Sequence, residues 1–195
     1  MATKGEQTRD AILRAAIARF GREGFRATSV ADIARDASVG GTVAYAYWPN
    51  KEALFLAAVD EDAAALIGEG LALLDADPTP LAWRRNLAIT MYTALEDHPL
   101  TRRLLAGLEP DVSARVMEIP ALADLRKAVA ERLGAEQLTG NVRHDIDPIA
   151  IGNGVVALVL SLLTSLVLVG GDVIGPYADD VIAVFDAALS PLPDG

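Results

Sequence analysis

The chain predicts an all-α fold of about nine helices, a small N-terminal head of three followed by a larger helical domain. Three observations carry that expectation. Apolar residues recur at intervals of three and four along most of the chain, the period of helices buried on one side. The alternation expected of half-buried strands is nearly missing. The 16 glycines and 10 prolines fall mostly between the periodic stretches, where they act as punctuation. With 195 residues, 52% of them hydrophobic, the chain can bury a sizeable core, and disorder of the whole is excluded.

Taken in order, Ile12, Ala16 and Phe20, flanked by Leu13 and Ile17, mark a first helix that Gly21 and Gly24 are expected to end. Thr28 and Ser29 set hydroxyls at the start of a second, and Asp32 stands three residues beyond Ser29, where a capping box places an acid. Val30, Ile33, Ala34 and Ala37 form its buried face. Ser38, Val39 and Gly40 then turn the chain into a third short helix, with Val39, Ala44 and Trp48 inward and Tyr45 and Tyr47 leading to Lys51. Two short helices at a steep angle, the second with one face free, make a helix-turn-helix able to lay an element into a DNA major groove. Asn50 caps the next helix, whose buried face is Leu54, Phe55, Ala58 and Val59, and which runs to about Leu74 before the break at 75–80. A helix over 81–97 ends before Pro99. One over 100–117 is interrupted at Glu109-Pro110, and Pro120 opens another with Leu122, Leu125, Val129 and Leu133 on one side. Residues 139–147 are polar and turn-like.

Residues 148–171 hold no charge at all. By length they could cross a bilayer. Against that, Asn153, Ser161, Thr164 and Ser165 interrupt the run, Gly152 and Gly154 weaken its start, and its flanks are acidic, Asp145, Asp147 and Asp172, with no Lys or Arg anchor. A helix apolar on every side equally suits burial in protein, and self-association is the simpler way to cover it.

The net charge of −10 is unevenly spread: residues 1–51 hold eight basic and five acidic side chains, net +3, and the remainder nets −13. A basic head on an acidic body fits a protein that presents one end to phosphates. Cysteine is absent, so there is no disulfide, thiolate zinc site or cysteine nucleophile, as suits a reducing compartment. The first ten residues are polar and lack the apolar core of a signal peptide, so a cytoplasmic location is expected. His98 and His144 are the only histidines, no His-Glu-x2-His pattern occurs, and Gly170-Gly171-x3-Gly175 lacks the Lys-Ser or Lys-Thr ending of a phosphate loop. No enzyme, metal or cofactor is expected.

From Arg9 to Leu54, without a gap, the order Phe20-x3-Gly24-Phe25, Thr28-Ser29-Val30, Ile33-Ala34 and Tyr45-x2-Trp48-x2-Lys51 resembles the N-terminal DNA-binding domain of TetR-family transcriptional regulators. Two departures stand out: Ser38 where the family usually has Gly, and Val43 where it commonly has Thr, which removes a hydroxyl from the DNA-facing side. The resemblance implies a helix-turn-helix DNA-binding domain over 1–50 and a ligand-binding and dimerisation domain over 51–195. It further implies a homodimer in which helices 148–170 and 176–189 pack against the same pair of a second subunit as a four-helix bundle. Such a dimer binds a near-palindromic operator, more often as a repressor, and a small molecule releases it.

The DNA candidates are Thr28, Ser29, Gly41, Thr42, Val43, Tyr45, Tyr47 and Lys51. Tyr45, Tyr47 and Lys51 match the family's backbone-contacting positions, where a phenol or a cation at a helix start can reach phosphate. Gly41, Thr42 and Val43 lie where base edges are read, through methyl contacts to thymine and DNA shape, and Thr28 and Ser29 either cap or touch phosphate. The resemblance also implies an effector pocket within 81–138, with Trp83, Asn86, Tyr92, His98, Arg102 and Met117 as candidates. Alternatives are a membrane-tethered regulator anchored by 148–171 and a helical enzyme.

Overall fold

Eight α-helices and one four-residue 3-10 turn make up the regular structure of the computed structural model, with no strand among the described residues. The structure describes residues 3–76, 79–80, 82–112 and 118–191, with backbone alone at 174–176 and 178. The order is α1 (Lys4–Ala27), α2 (Val30–Asp36), the 3-10 turn (Val43–Ala46), α3 (Lys51–Ala76), α4 (Ala82–Ala94), α5 (Pro99–Leu105), α6 (Pro120–Leu138), α7 (Pro148–Val169) and α8 (Gly171–Leu189). Packing divides the chain into Met1–Ala65 with Leu95–Ile119, and Leu66–Ala94 with Pro120–Gly195. The packing division does not fall at residue 50, and α3 contributes to both packing units.

In the first unit, α1 begins at Lys4 because Thr3 and Glu6 close a capping box. The Glu6 N–H donates to Thr3 Oγ1 at 3.3 Å, and the Thr3 N–H donates to Glu6 Oε2 at 2.6 Å. Ile12, Ala16 and Phe20 are fully buried and meet Ile33, Leu54, Phe55 and Leu100 in one core. The Phe55 ring lies edge-on to Phe20 at 4.9 Å and tilted to Phe25 at 5.0 Å. Gly21 does not end α1. It lets α5 come close, since a Cβ there would stand 2.7 Å from Pro99 Cβ and 2.9 Å from the Leu100 nitrogen. Gly24 is the true kink, at φ 82° and ψ 169°.

The expected third helix contracts to the 3-10 turn. Ser38 occupies the left-handed region at φ 57°, Gly40 and Gly41 lie ahead of the turn, each a poor helix former by about 1 kcal/mol, and Pro49 stands just behind it. That leaves no room for two α-helical turns.

In the second unit α7 packs on α6, α8 and α4. A Cβ on Gly152 would stand 3.0 Å from the Ala130 nitrogen of α6, so the two helix backbones approach closely. Gly152, Val155, Val156, Val159, Leu163 and Leu166 form the buried stripe of α7, while Leu158, Leu168 and Val169 are exposed. By length and composition α7 could cross a membrane, with a mean hydropathy of 2.2. Asp147 caps it, accepting from the Ile149 N–H at 2.9 Å, with Pro148 in its first turn. The helix expected over 81–97 is α4, residue 81 lying outside the described residues. The one expected over 100–117 is α5, which ends ahead of a left-handed Gly107 (φ 68°), and 113–117 lie outside the described residues. The last helix starts at Gly171 rather than at Pro176.

Candidate nucleic-acid interface

The interface is built outward from α2. Ser29 Oγ accepts the Asp32 N–H at 3.1 Å and donates to Asp32 Oδ2 at 2.6 Å, so the acid holds the capping hydroxyl rather than the Ser29 backbone. That hydrogen bond, helped by Arg35 at 2.8 Å, keeps the Asp32 carboxyl below the usual carboxylate range. Arg19 ties α1 to α2. Its Nε donates to Asp36 Oδ2 at 2.6 Å, which lowers the Asp36 pKa and raises that of the guanidinium, and its Nη1 approaches Glu23 at 3.1 Å.

On this frame the 3-10 turn buries Ala44 and Trp48 and leaves Gly41, Thr42 and Tyr45 in the open. Nothing lies within 4 Å of a Cβ built on Gly41. Thr42 precedes the turn without spending its hydroxyl on a cap, its carbonyl accepts the Tyr45 N–H at 3.2 Å, and Tyr45 is 52% exposed. Val43 is half-buried and packs against the head core.

The other DNA candidates are more committed. Thr28 is buried and its hydroxyl donates to the Gly24 carbonyl at 2.8 Å, locking the α1 kink, whereas Ser29 is exposed. The Tyr47 hydroxyl donates to the Gly5 carbonyl in the first turn of α1 at 3.0 Å. Lys51 opens α3, where Asn50 Oδ1 accepts the Ala53 N–H at 2.8 Å, and its ammonium lies 4.4 Å from the Phe25 ring centre. Arg9, outside the candidate set, places its guanidinium 5.5 Å from the Trp48 ring. The signal for it was present: Thr3-x2-Glu6 has the spacing recognised at Ser29 and starts α1 early enough to carry Arg9.

The effector candidates do not converge. Trp83 is fully buried and donates from Nε1 to Glu136 at 2.8 Å. His98 Nδ1 lies 3.1 Å from Asp62 Oδ1, and Asp62 also accepts the Thr101 N–H at 2.7 Å and its hydroxyl at 2.8 Å. Asn86 is half-buried, Arg102 is exposed, and Met117 lies outside the described residues. Of the six, Tyr92 lines a groove of about 390 Å³ formed by α4, α7 and α8. Leu162, Leu166 and Ile182 of that groove fall beyond the 81–138 window expected from the sequence.

Residues 12–58 match the family described as bacterial regulatory proteins of the tetR family. The uncharacterized HTH-type transcriptional regulator YdgC of Bacillus subtilis is 27% identical over 175 residues, covering 87% of this chain and 86% of that protein. Among solved structures, a TetR-family regulator from Cytophaga hutchinsonii superposes with a TM-score of 0.77 at 18% identity, over 97% of this chain and 98% of that one. The regulator FadR of Bacillus subtilis, solved with stearoyl-CoA, gives 0.69 at 16% identity, over 92% and 98%. The capped α2, the open turn on Ala44 and Trp48, and these likenesses lead to one conclusion: residues 12–58 form a DNA-binding domain of the kind that marks the tetR family of bacterial regulatory proteins, in a chain that has the fold of TetR-family regulators.

Proposed function

We propose that the chain acts in the cytoplasm as a homodimeric repressor that binds a near-palindromic operator through its head, residues 1–50, and leaves it when a small molecule binds within 51–195. The observation that carries the DNA reading is the open turn: Gly41 without neighbours, Thr42 with a free-standing hydroxyl and Tyr45 exposed, all held on the buried Ala44 and Trp48. Tyr45 and Lys51, with Arg9, serve phosphates. Ser29 and Tyr47, whose hydroxyl protons go to Asp32 and the Gly5 carbonyl, border these residues and serve phosphates only by giving up those bonds. Gly41, Thr42 and Val43 meet base edges. Thr28 supports them by holding the α1 kink.

One such turn offers few contacts, so two copies at half-sites about 34–36 Å apart, or a multiple of that, are needed for a specific site. Dimerisation through α7 and α8 has support in what those helices leave uncovered: Leu158, Leu168 and Val169 on the first, Val173, Tyr177 and Val184 on the second. A membrane anchor is the weaker reading of α7, because Gly152 and the stripe from Val155 to Leu166 are already packed in protein.

The test is operator binding by fluorescence anisotropy, on a palindrome selected from random DNA, with Tyr45→Ala and Lys51→Ala. Each is expected to weaken binding about tenfold, in line with the loss of a charged or phosphate hydrogen bond, while the dimer persists in sedimentation. Unchanged affinity in both variants overturns the contact assignment.

A further inference from the structure

We infer that the groove between α4, α7 and α8 takes an apolar molecule carrying a neutral oxygen acceptor, such as a ketone, ester or amide carbonyl, and that Arg84 binds that oxygen. This deepens the reading of the chain as a ligand-released regulator and rests on it. The groove holds about 390 Å³, within the roughly 300–1,000 Å³ of small-molecule sites, and its walls are largely apolar. It shares Ala88, Leu162 and Ile182 with a smaller pocket of about 20 Å³, enough for a single water-sized group, which Arg84 lines.

Arg84 is the feature that needs an explanation. Its side chain is 3% exposed, and Nη2 donates to Asp186 at 2.9 Å, yet Nε and Nη1 have no hydrogen-bond partner. Buried donors on a cation are rarely left unfilled. The charges around it choose among the groups that would fill them. Asp186 and Glu136, the latter 3.9 Å from Nη1, already face the guanidinium, and Glu136 also takes Trp83 Nε1 and Arg132 Nε. Two arginines therefore balance two carboxylates, and a ligand carboxylate would meet both acids in a poorly screened interior. A ligand cation would oppose Arg84 itself, and a plain hydrocarbon would leave the donors as they are. A neutral carbonyl satisfies them and adds no charge, while its chain lies along the apolar walls. Arg85 pairs with Asp179 at 3.1 Å on the groove wall, and the remaining acid there, Asp172, adds a further reason for the groove to refuse an anionic ligand.

The probe set is 2-decanone, decanoate and decylammonium, titrated by calorimetry into the full-length dimer with and without operator. 2-Decanone is expected to bind at least tenfold tighter than either charged analogue, and its carbonyl stretching band to fall on binding, as hydrogen bonding to a guanidinium requires. Arg84→Met should abolish the band shift and weaken the ketone tenfold or more. Should that variant fail to fold, Ile182→Trp, at a wall shared by the groove and the smaller pocket, should exclude the ketone, and the band in the unaltered protein still reports the contact. Equal or tighter binding of decanoate, an unshifted carbonyl band, or no ketone binding by a protein that still binds operator overturns this inference alone. Ketone binding that leaves operator affinity unchanged keeps the ligand assignment and ends the effector role.

Discussion

Gly24 concentrates several demands in one position. It sits at φ 82°, accepts the Thr28 hydroxyl through its carbonyl, and leaves no space for a side chain: a Cβ would collide with the Arg103 guanidinium and stand 2.7 Å from Glu109 Oε1. Glu109 in turn accepts the Phe25 N–H at 3.1 Å and Arg103 Nε at 2.8 Å. Gly24→Ala is therefore expected to cost about 1–3 kcal/mol, combining left-handed strain with a forced shift of an ion pair. Urea unfolding should show a lower midpoint at unchanged slope; an unmoved midpoint would mean that the kink relaxes freely. The sequence marked Gly24 and Gly21 alike as helix ends, because a glycine's spacing says nothing of what approaches it from α5. The same holds for hydroxyls. Thr28, Ser29 and Tyr47 were recognisable as polar groups near the turn, but whether each faces solvent or a backbone carbonyl depends on contacts as distant in sequence as Gly5 is from Tyr47.

Between elements, the α1–α2 contact is held by Arg19 and Asp36 as well as by the core. Asp36 titrates below its ordinary value because Arg19 hydrogen-bonds its charged form, and Asp32 does so chiefly through Ser29. A depressed folded-state pKa adds stability that is present above the unfolded value, near 3.9, and is lost as pH falls through the lowered one. Asp36→Asn should melt earlier than the unaltered protein at pH 7, and the gap should narrow as the pH falls below about 4 when followed by circular dichroism. A gap that does not change with pH below about 4 would show that the effect is not electrostatic. Most helices were legible from apolar period alone, α3 and α6 through their buried stripes and α7 through its lack of charge. The shortest was not. Ala44 and Trp48 marked its inner face correctly, but Gly40, Gly41 and Pro49 set the backbone to a single tight turn. Pro120 and Pro148 do stand in first turns, whereas Pro176 falls inside a helix that had already begun at Gly171.

At the scale of the molecule, α7 and α8 carry an exposed apolar surface with no charge between residues 148 and 171. Leu158→Glu, on the exposed side of α7, should convert a dimer to a monomer in analytical ultracentrifugation. It should also cost operator affinity far more than any one contact variant, since both half-sites are engaged only by a pair. A charged variant that remains dimeric would place the interface elsewhere. Two separate expectations, a basic head and an oily tail, were readable from charge and hydropathy. The groove between α4, α7 and α8 was not, because its walls come from three helices together, and no spacing or motif sets Arg84 apart. The long helix α3 has a practical consequence for engineering. Leu54, Phe55, Ala58 and Val59 at its start, with Leu100 and Leu104 of α5, share one core with Ile12 and Phe20. A fragment ending at residue 50 would lose its own floor, and a chimaera that swaps the reading head between relatives must carry both stretches across to keep its fold.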